Sequence, residues 1–118
     1  MRKINVIIIY HTSTEYGIKM STINDTLETF YKIIDCDTID IITRKIGDIY
    51  YKIICDDEAL LKNNTKVTLI QKDRQEILLG NLIICPINYD NEEELGSFNE
   101  QQQKSLFCKL LKYPTYDF

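Results

Sequence analysis

The stretch EILLGNLIICPI, Glu76–Ile87, decides the reading of the fold. Its LIIC core is apolar at every position, so both faces should be covered and the strand belongs near the centre of a sheet. Gly80 marks a bulge or a close backbone approach within that strand. Pro86 has no N–H to donate and should end the regular pairing. KVTLIQ (66–71) precedes it as a second strand, joined through KDRQ (72–75), a polar hairpin turn without the usual Asn-Gly.

Further toward the N-terminus, IYYKIIC (49–55) places Ile49, Tyr51, Ile53 and Cys55 on one strand face and Tyr50, Lys52 and Ile54 on the other. DTIDIITRKI (37–46) precedes it, with Ile39 and Ile41 on one face. Gly47-Asp48 between them marks a turn, so the two strands should pair antiparallel. KINVIIIYH (3–11) reads as a well-buried strand, and IKMSTI (18–23) as a short extended segment.

Two helices complete the pattern. Ile23, Leu27, Phe30, Tyr31 and Ile34 share one helical face, with Thr22 or Asn24 as the expected cap and Asp25 and Glu28 near the N-terminus. Ser97 and Glu100 fit a capping box for a last helix running to about Tyr113. Phe107, Leu110 and Leu111 are its expected apolar stripe, and Pro114 its stop. The predicted fold is a single α+β domain over 1–118: an antiparallel or mixed sheet of about five strands with two main helices packed on one face.

The 118 residues suffice for one core and not two. A net charge of −4 argues against binding nucleic acid through a basic face. No run approaches the roughly 20 apolar residues of a membrane span, and no secretory cleavage pattern follows the first apolar run. A cytoplasmic protein of a bacterial host is therefore expected. Abundant Ile, Tyr, Lys and Asn, with no Trp, point to A/T-rich codons and a low-G+C bacterium or its phage.

Motifs for chemistry are sparse. Gly17, Gly47, Gly80 and Gly96 are isolated, so no phosphate-cradling loop is formed. Cys36, Cys55, Cys85 and Cys108 lack C-x-x-C spacing and each adjoins an apolar run; they read as reduced, small core residues, with no metal or cofactor expected. His11, beside Thr12 and Ser13, is the sole candidate base, and a lone strand-end histidine is ordinarily not catalytic. Asp56, Asp57 and Glu58 read first as the capped start of a short helical turn in DDEALLKNN (56–64). Asp90, Glu92, Glu93 and Glu94 have no such structural use. Tyr31, Tyr50, Tyr51 and Tyr89 are candidates for an interface, where Tyr is favoured.

The runs DTLETFYKIIDCDTIDII (25–42), IICDDEALLKNN (53–64), LLGNLIICPI (78–87) and SFNEQQ (97–102) together resemble a small domain of unknown function found mainly in proteins of phages, plasmids and conjugative elements of low-G+C bacteria. The resemblance covers about Asn24–Gln102 and rests on hydrophobic pattern plus Asp57, Glu58, Asn64 and Gly80. The chain departs from it where IIDCD stands in place of a glycine pair at the end of the first helix. The resemblance implies a mobile-element accessory protein, and small acidic proteins of that kind bind host proteins, CRISPR nucleases among them.

Three function classes follow. The first is a non-enzymatic inhibitor of a bacterial defence or regulatory protein, with an anti-CRISPR as one form. It would bind a host effector with a basic nucleic-acid channel through Tyr89, Asp90, Glu92, Glu93 and Glu94, with Asp56, Asp57 and Glu58 as a secondary patch. It would touch neither nucleic acid nor membrane directly, and a homodimer is left open. The second is a small-molecule or nucleotide-signal binder, with a pocket near the end of VIIIYHTST and Lys3, Arg44 and Lys45 as phosphate partners. The third is a small enzyme built on His11 or a carboxylate cluster.

Overall fold

In the computed structural model, residues 2–11, 16–58, 67–71 and 76–111 are described. In chain order the elements are β1 (Lys3–His11), β2 (Tyr16–Asn24), α1 (Leu27–Ile34), β3 (Ile39–Ile46), β4 (Ile49–Asp56), β5 (Val67–Gln71), β6 (Glu76–Leu79), β7 (Leu82–Pro86) and α2 (Glu100–Leu110). Five strands form one sheet in the order β2-β1-β7-β4-β3, and every neighbouring pair is antiparallel. β5 and β6 pair antiparallel as a separate two-stranded sheet, and the KDRQ turn expected between them (72–75) lies outside the described residues. The α+β class is thus observed.

β7 is the middle strand, as its apolar run requires: Leu82, Ile83, Ile84 and Cys85 are all fully buried. The stretch around it is not one strand, however. Gly80 adopts φ +73°, a left-handed conformation open to glycine without a Cβ clash, and the chain changes sheets there. Asn81 secures the change by donating its side-chain amide to the Ile33 carbonyl at 3.0 Å. Pro86 closes the regular pairing opposite Tyr51.

The two helices lie on opposite faces of the sheet, which corrects the expectation of one covered face. Ile7, Ile9, Ile53, Leu82 and Ile84 pack with Leu106 and Leu110 of α2. Ile4, Val6, Ile8, Ile54, Ile83 and Cys85 pack with Phe30 and Ile34 of α1. The three inner strands are apolar at both odd and even positions, so each face needs its own cover. Each buried Ile or Leu contributes roughly 1.5–3 kcal/mol, and one uncovered face would forfeit that for half the core.

The Gly47-Asp48 turn forms as read, and the caps do not. Gly47 (φ +65°) and Asp48 join Ile46 to its register partner Ile49, with the glycine at the first central position of a two-residue hairpin. The cap of α1 is Thr26, whose Oγ1 accepts from the Thr29 amide at 3.3 Å. Thr22 and Asn24 belong to β2, a nine-residue strand longer than its apolar segment suggested. Ile23 is buried with Phe30 and Ile34 from that strand, while Leu27 is exposed. Asp35 ends α1 at φ 61°, ψ 57°, the place where helices commonly carry glycine.

The capping box of α2 is Asn99–Gln102, two residues beyond the predicted Ser97–Glu100. Ser97 Oγ instead accepts from the Asn5 amide at 2.8 Å, and Asn5 exchanges two further bonds with Phe98. β7 pairs with β1 only across Ile7–Ile9, and this returning segment takes up the polar groups of β1 at Asn5. Leu106 and Leu110 are the buried stripe of α2, Phe107 is half-buried and Leu111 is exposed. Tyr113 and Pro114 lie outside the described residues.

Candidate functional site

The acidic segment is a built loop. Ile87 and Leu95 bridge its base. The Asn88 Oδ1 accepts from the amides of Asp90 and Asn91, both at 3.1 Å, and the Asn91 Oδ1 accepts from the Glu93 amide at 3.1 Å. These side-chain-to-backbone turns organise the chain without using a carboxylate. Asp90, Glu92, Glu93 and Glu94 are exposed, and none of their carboxylates bonds to another described residue. Arg2 ties the base to the N-terminal strand, donating to the Leu95 carbonyl at 2.7 Å and pairing with Asp25. Asn88, Asn91 and Arg2 were not singled out from sequence, although an Asn two residues before an acidic pair is a legible turn signal.

Beside this loop lies an open groove of about 350 Å³. Its floor is Tyr51, Pro86 and Phe98; the two rings are tilted by 52° with centroids 6.0 Å apart. Ile49 and Tyr50 at the start of β4 form one side and are about half exposed. Ile87 and Tyr89 form the other, with Tyr89 75% exposed. The first turns of α2 add a polar wall of Gln101, Gln102 and Ser105. Among the described residues no Lys or Arg lines it. The expected pairing of Tyr89 with the acidic residues thus acquires a surface that includes Tyr50 and Tyr51 but not Tyr31, which lies on α1.

The other candidates stand apart. Asp56 ends β4, and its Oδ1 accepts from the Glu58 amide at 2.9 Å, so it stabilises a turn at a strand end. Asp57 donates its amide to the Thr38 carbonyl at 3.2 Å. The helical turn expected after them falls on 59–64, outside the described residues. Tyr51 and Asp56 are five residues apart on one strand, about 17 Å, so the two acidic segments sit at opposite ends of the sheet. His11 lies at the Asp56 end, at the last pair of β1 with β2; its side chain, Thr12 and Ser13 are outside the described residues. Lys3 on β1 is three strand spacings from Arg44 and Lys45 on β3, about 14 Å, so these three do not share a phosphate pocket.

The thiols divide by burial. Cys85 is fully buried, and desolvation pushes its thiol up to about 12. Cys55 is half-buried; desolvation, then the charge of Asp40, pushes it up to about 11, and its Sγ donates to the Asp40 carbonyl at 3.7 Å. Both are held away from the thiolate form that nucleophilic chemistry needs. Cys36 is half-buried; it and Cys55 pack against the two core clusters, while Cys108 is exposed, against the expectation of four core thiols. Cys108 sits two residues, some 200° of helix, from the inward-facing Leu106 and Leu110. Among the described residues no three His, Cys, Asp or Glu side chains converge as a metal site, and no helix is long and apolar enough to cross a membrane.

No curated protein and no solved structure matches the chain. A family model does match, the domain of unknown function DUF3846, over residues 4–112, from the first strand through the end of α2. The resemblance read from the helix, the LLGNLIICPI strand and the SFNEQQ segment is therefore to a family of this kind, and the chain belongs to the DUF3846 family.

Proposed function

We propose that this protein is a non-enzymatic accessory factor of a mobile genetic element, and that it binds a basic surface of a bacterial host protein in the cytoplasm and blocks it. One observation carries the reading: four carboxylates without structural use stand on a loop that Asn88 and Asn91 hold in shape, next to a tyrosine-lined groove. Charge held at fixed geometry speeds the encounter with an oppositely charged partner and rejects wrong ones. Partly exposed Tyr and Ile side chains beside it supply the area that holds the complex. A basic nucleic-acid channel in a defence nuclease, a CRISPR effector included, is the partner surface with the required charge. Asp56, Asp57 and Glu58, at the other end of the sheet, serve as a secondary patch at most.

The test is affinity purification of the full chain from its native host, followed by identification of a stoichiometric partner. Binding of that purified partner is then measured for the wild type and for D90N/E92Q/E93Q/E94Q. A partner whose association rate falls at least tenfold with the quadruple variant, with less difference at high salt, supports the proposal. A chain recovered alone at every salt concentration, or a partner indifferent to the variant, overturns it.

A further inference from the structure

We infer that the groove between β4, the acidic loop and α2 is a seat for an extended, basic peptide segment of the partner that carries one apolar anchor side chain. This rests on the protein-binding reading above and adds the chemistry of what is bound. The groove's volume of about 350 Å³ falls at the low end of the roughly 300–1,000 Å³ of small-ligand pockets, room for an anchor side chain and not for a helix. Its floor is apolar and its rings are fixed: Tyr51 and Phe98 are almost fully buried, so the surface they present is preformed. Gln101 and Ser105 are exposed on the α2 side and can hydrogen-bond a peptide backbone lying along it.

Charge selects among occupants. Asp90, Glu92, Glu93 and Glu94 follow Tyr89 on the loop that forms one side of the groove. Lys and Arg side chains next to the anchor meet carboxylates there, and the exposed face of Tyr89 accepts a cation. An acidic peptide, a nucleic acid or an anionic membrane surface would be repelled. A second copy seated through this face would bring two acidic loops together, eight carboxylates in all, in a chain of net charge −4.

The test is a titration of the full chain, labelled at Ile methyl groups and at backbone amides, with four eight-residue peptides. One has Leu flanked by Lys and Arg, one has Trp in that frame, one has Ala in that frame, and one has Leu flanked by Glu. The Ile49 and Ile87 methyls report the groove; Ile8 and Ile83, in the α1-side core, are controls. The Leu and Trp peptides are expected to shift Ile49 and Ile87 and not the controls. Affinity should fall at least tenfold for the Ala peptide and for Tyr89→Ala, and the Glu-flanked peptide should give no response. Methyls silent to every peptide at millimolar concentration overturn the inference, as do shifts confined to the amides of 88–94. In both cases the acidic-loop proposal survives if the purified host partner still discriminates the quadruple variant. Ile49 and Ile87 shifts that track protein concentration without peptide would assign the groove to a second copy and overturn it as well.

Discussion

The Gly96 amide donates to the Pro86 carbonyl at 3.2 Å, and a Cβ built on Gly96 would stand 2.5 Å from that same oxygen. This contact closes the acidic loop on the last residue of the central strand, so the loop inherits the rigidity of the core. Gly96 is buried, and the nearest atoms are the carbonyl and the ring of Pro86, neither of which is the free end of a flexible side chain. Gly96→Ala should therefore cost about 1–3 kcal/mol in denaturant unfolding and shift the amides of 87–95. Wild-type stability in this variant would refute the closure.

Within the loop, carboxylates and amide side chains have separate jobs. D90N/E92Q/E93Q/E94Q should stay within about 0.5 kcal/mol of the wild type. Asn88→Ala, which removes the acceptor for two backbone amides, should lose about 1 kcal/mol while the charge is unchanged. At the other end of the sheet, Asp56→Ala should behave like Asn88→Ala, because it too removes a turn acceptor. Chemical denaturation of the three proteins side by side decides; a quadruple variant less stable than Asn88→Ala would reverse the assignment.

Asp35 is the one described non-glycine residue at positive φ. A left-handed conformation costs a residue with a Cβ roughly 1–2 kcal/mol, less for Asp and Asn. Asp35 is exposed and ends α1 by sending its amide to the Tyr31 carbonyl at 2.9 Å, a bond any residue with an N–H can make. Asp35→Gly should stabilise the protein by on the order of 0.5 kcal/mol, net of the larger unfolded-state entropy of glycine. Asp35→Val should destabilise it by about 1 kcal/mol or more. Thermal melts of the pair test this, and a destabilised Asp35→Gly would count against the strain.

Cys85 makes stability fall with alkaline pH. Its folded pKa is raised by burial from about 9 to about 12, so below 9 both folded and unfolded thiols are protonated and pH has no leverage. Above 9 the unfolded chain has lost a proton that the folded chain keeps. Stability then declines by up to about 1.4 kcal/mol per pH unit until the folded thiol also titrates. Cys85→Ala should be less stable at pH 7, through its cavity, but show a shallower decline between pH 9 and 11. Equal slopes would show that the thiol is not the group responsible.

The strand pattern was legible in the residues. β-branched runs, the alternation of Ile49, Tyr51 and Ile53 against Tyr50, Lys52 and Ile54, the Gly47-Asp48 turn and the central place of LIIC all follow from period-two burial and turn chemistry. These depend only on neighbours along the chain. The caps slipped by two residues or more because Thr22, Asn24, Thr26, Ser97 and Asn99 are chemically equivalent as caps. Which of them serves depends on where β2 and the Asn5-bound segment end, a long-range matter.

Sequence by itself determined where most of the strands run, the apolar middle strand and the exposed acidic run at 90–94, since hydropathy periodicity and like charge are local properties. Tertiary structure decided that the Glu76–Ile87 stretch divides between two sheets at Gly80, that the helices cover opposite faces, and that Ile49–Tyr51, Pro86–Tyr89 and Phe98–Ser105 meet in one groove. The reason is physical. A local pattern states that a face must be buried, but which segment buries it depends on closing loops of tens of residues and on the total apolar area each arrangement removes from water.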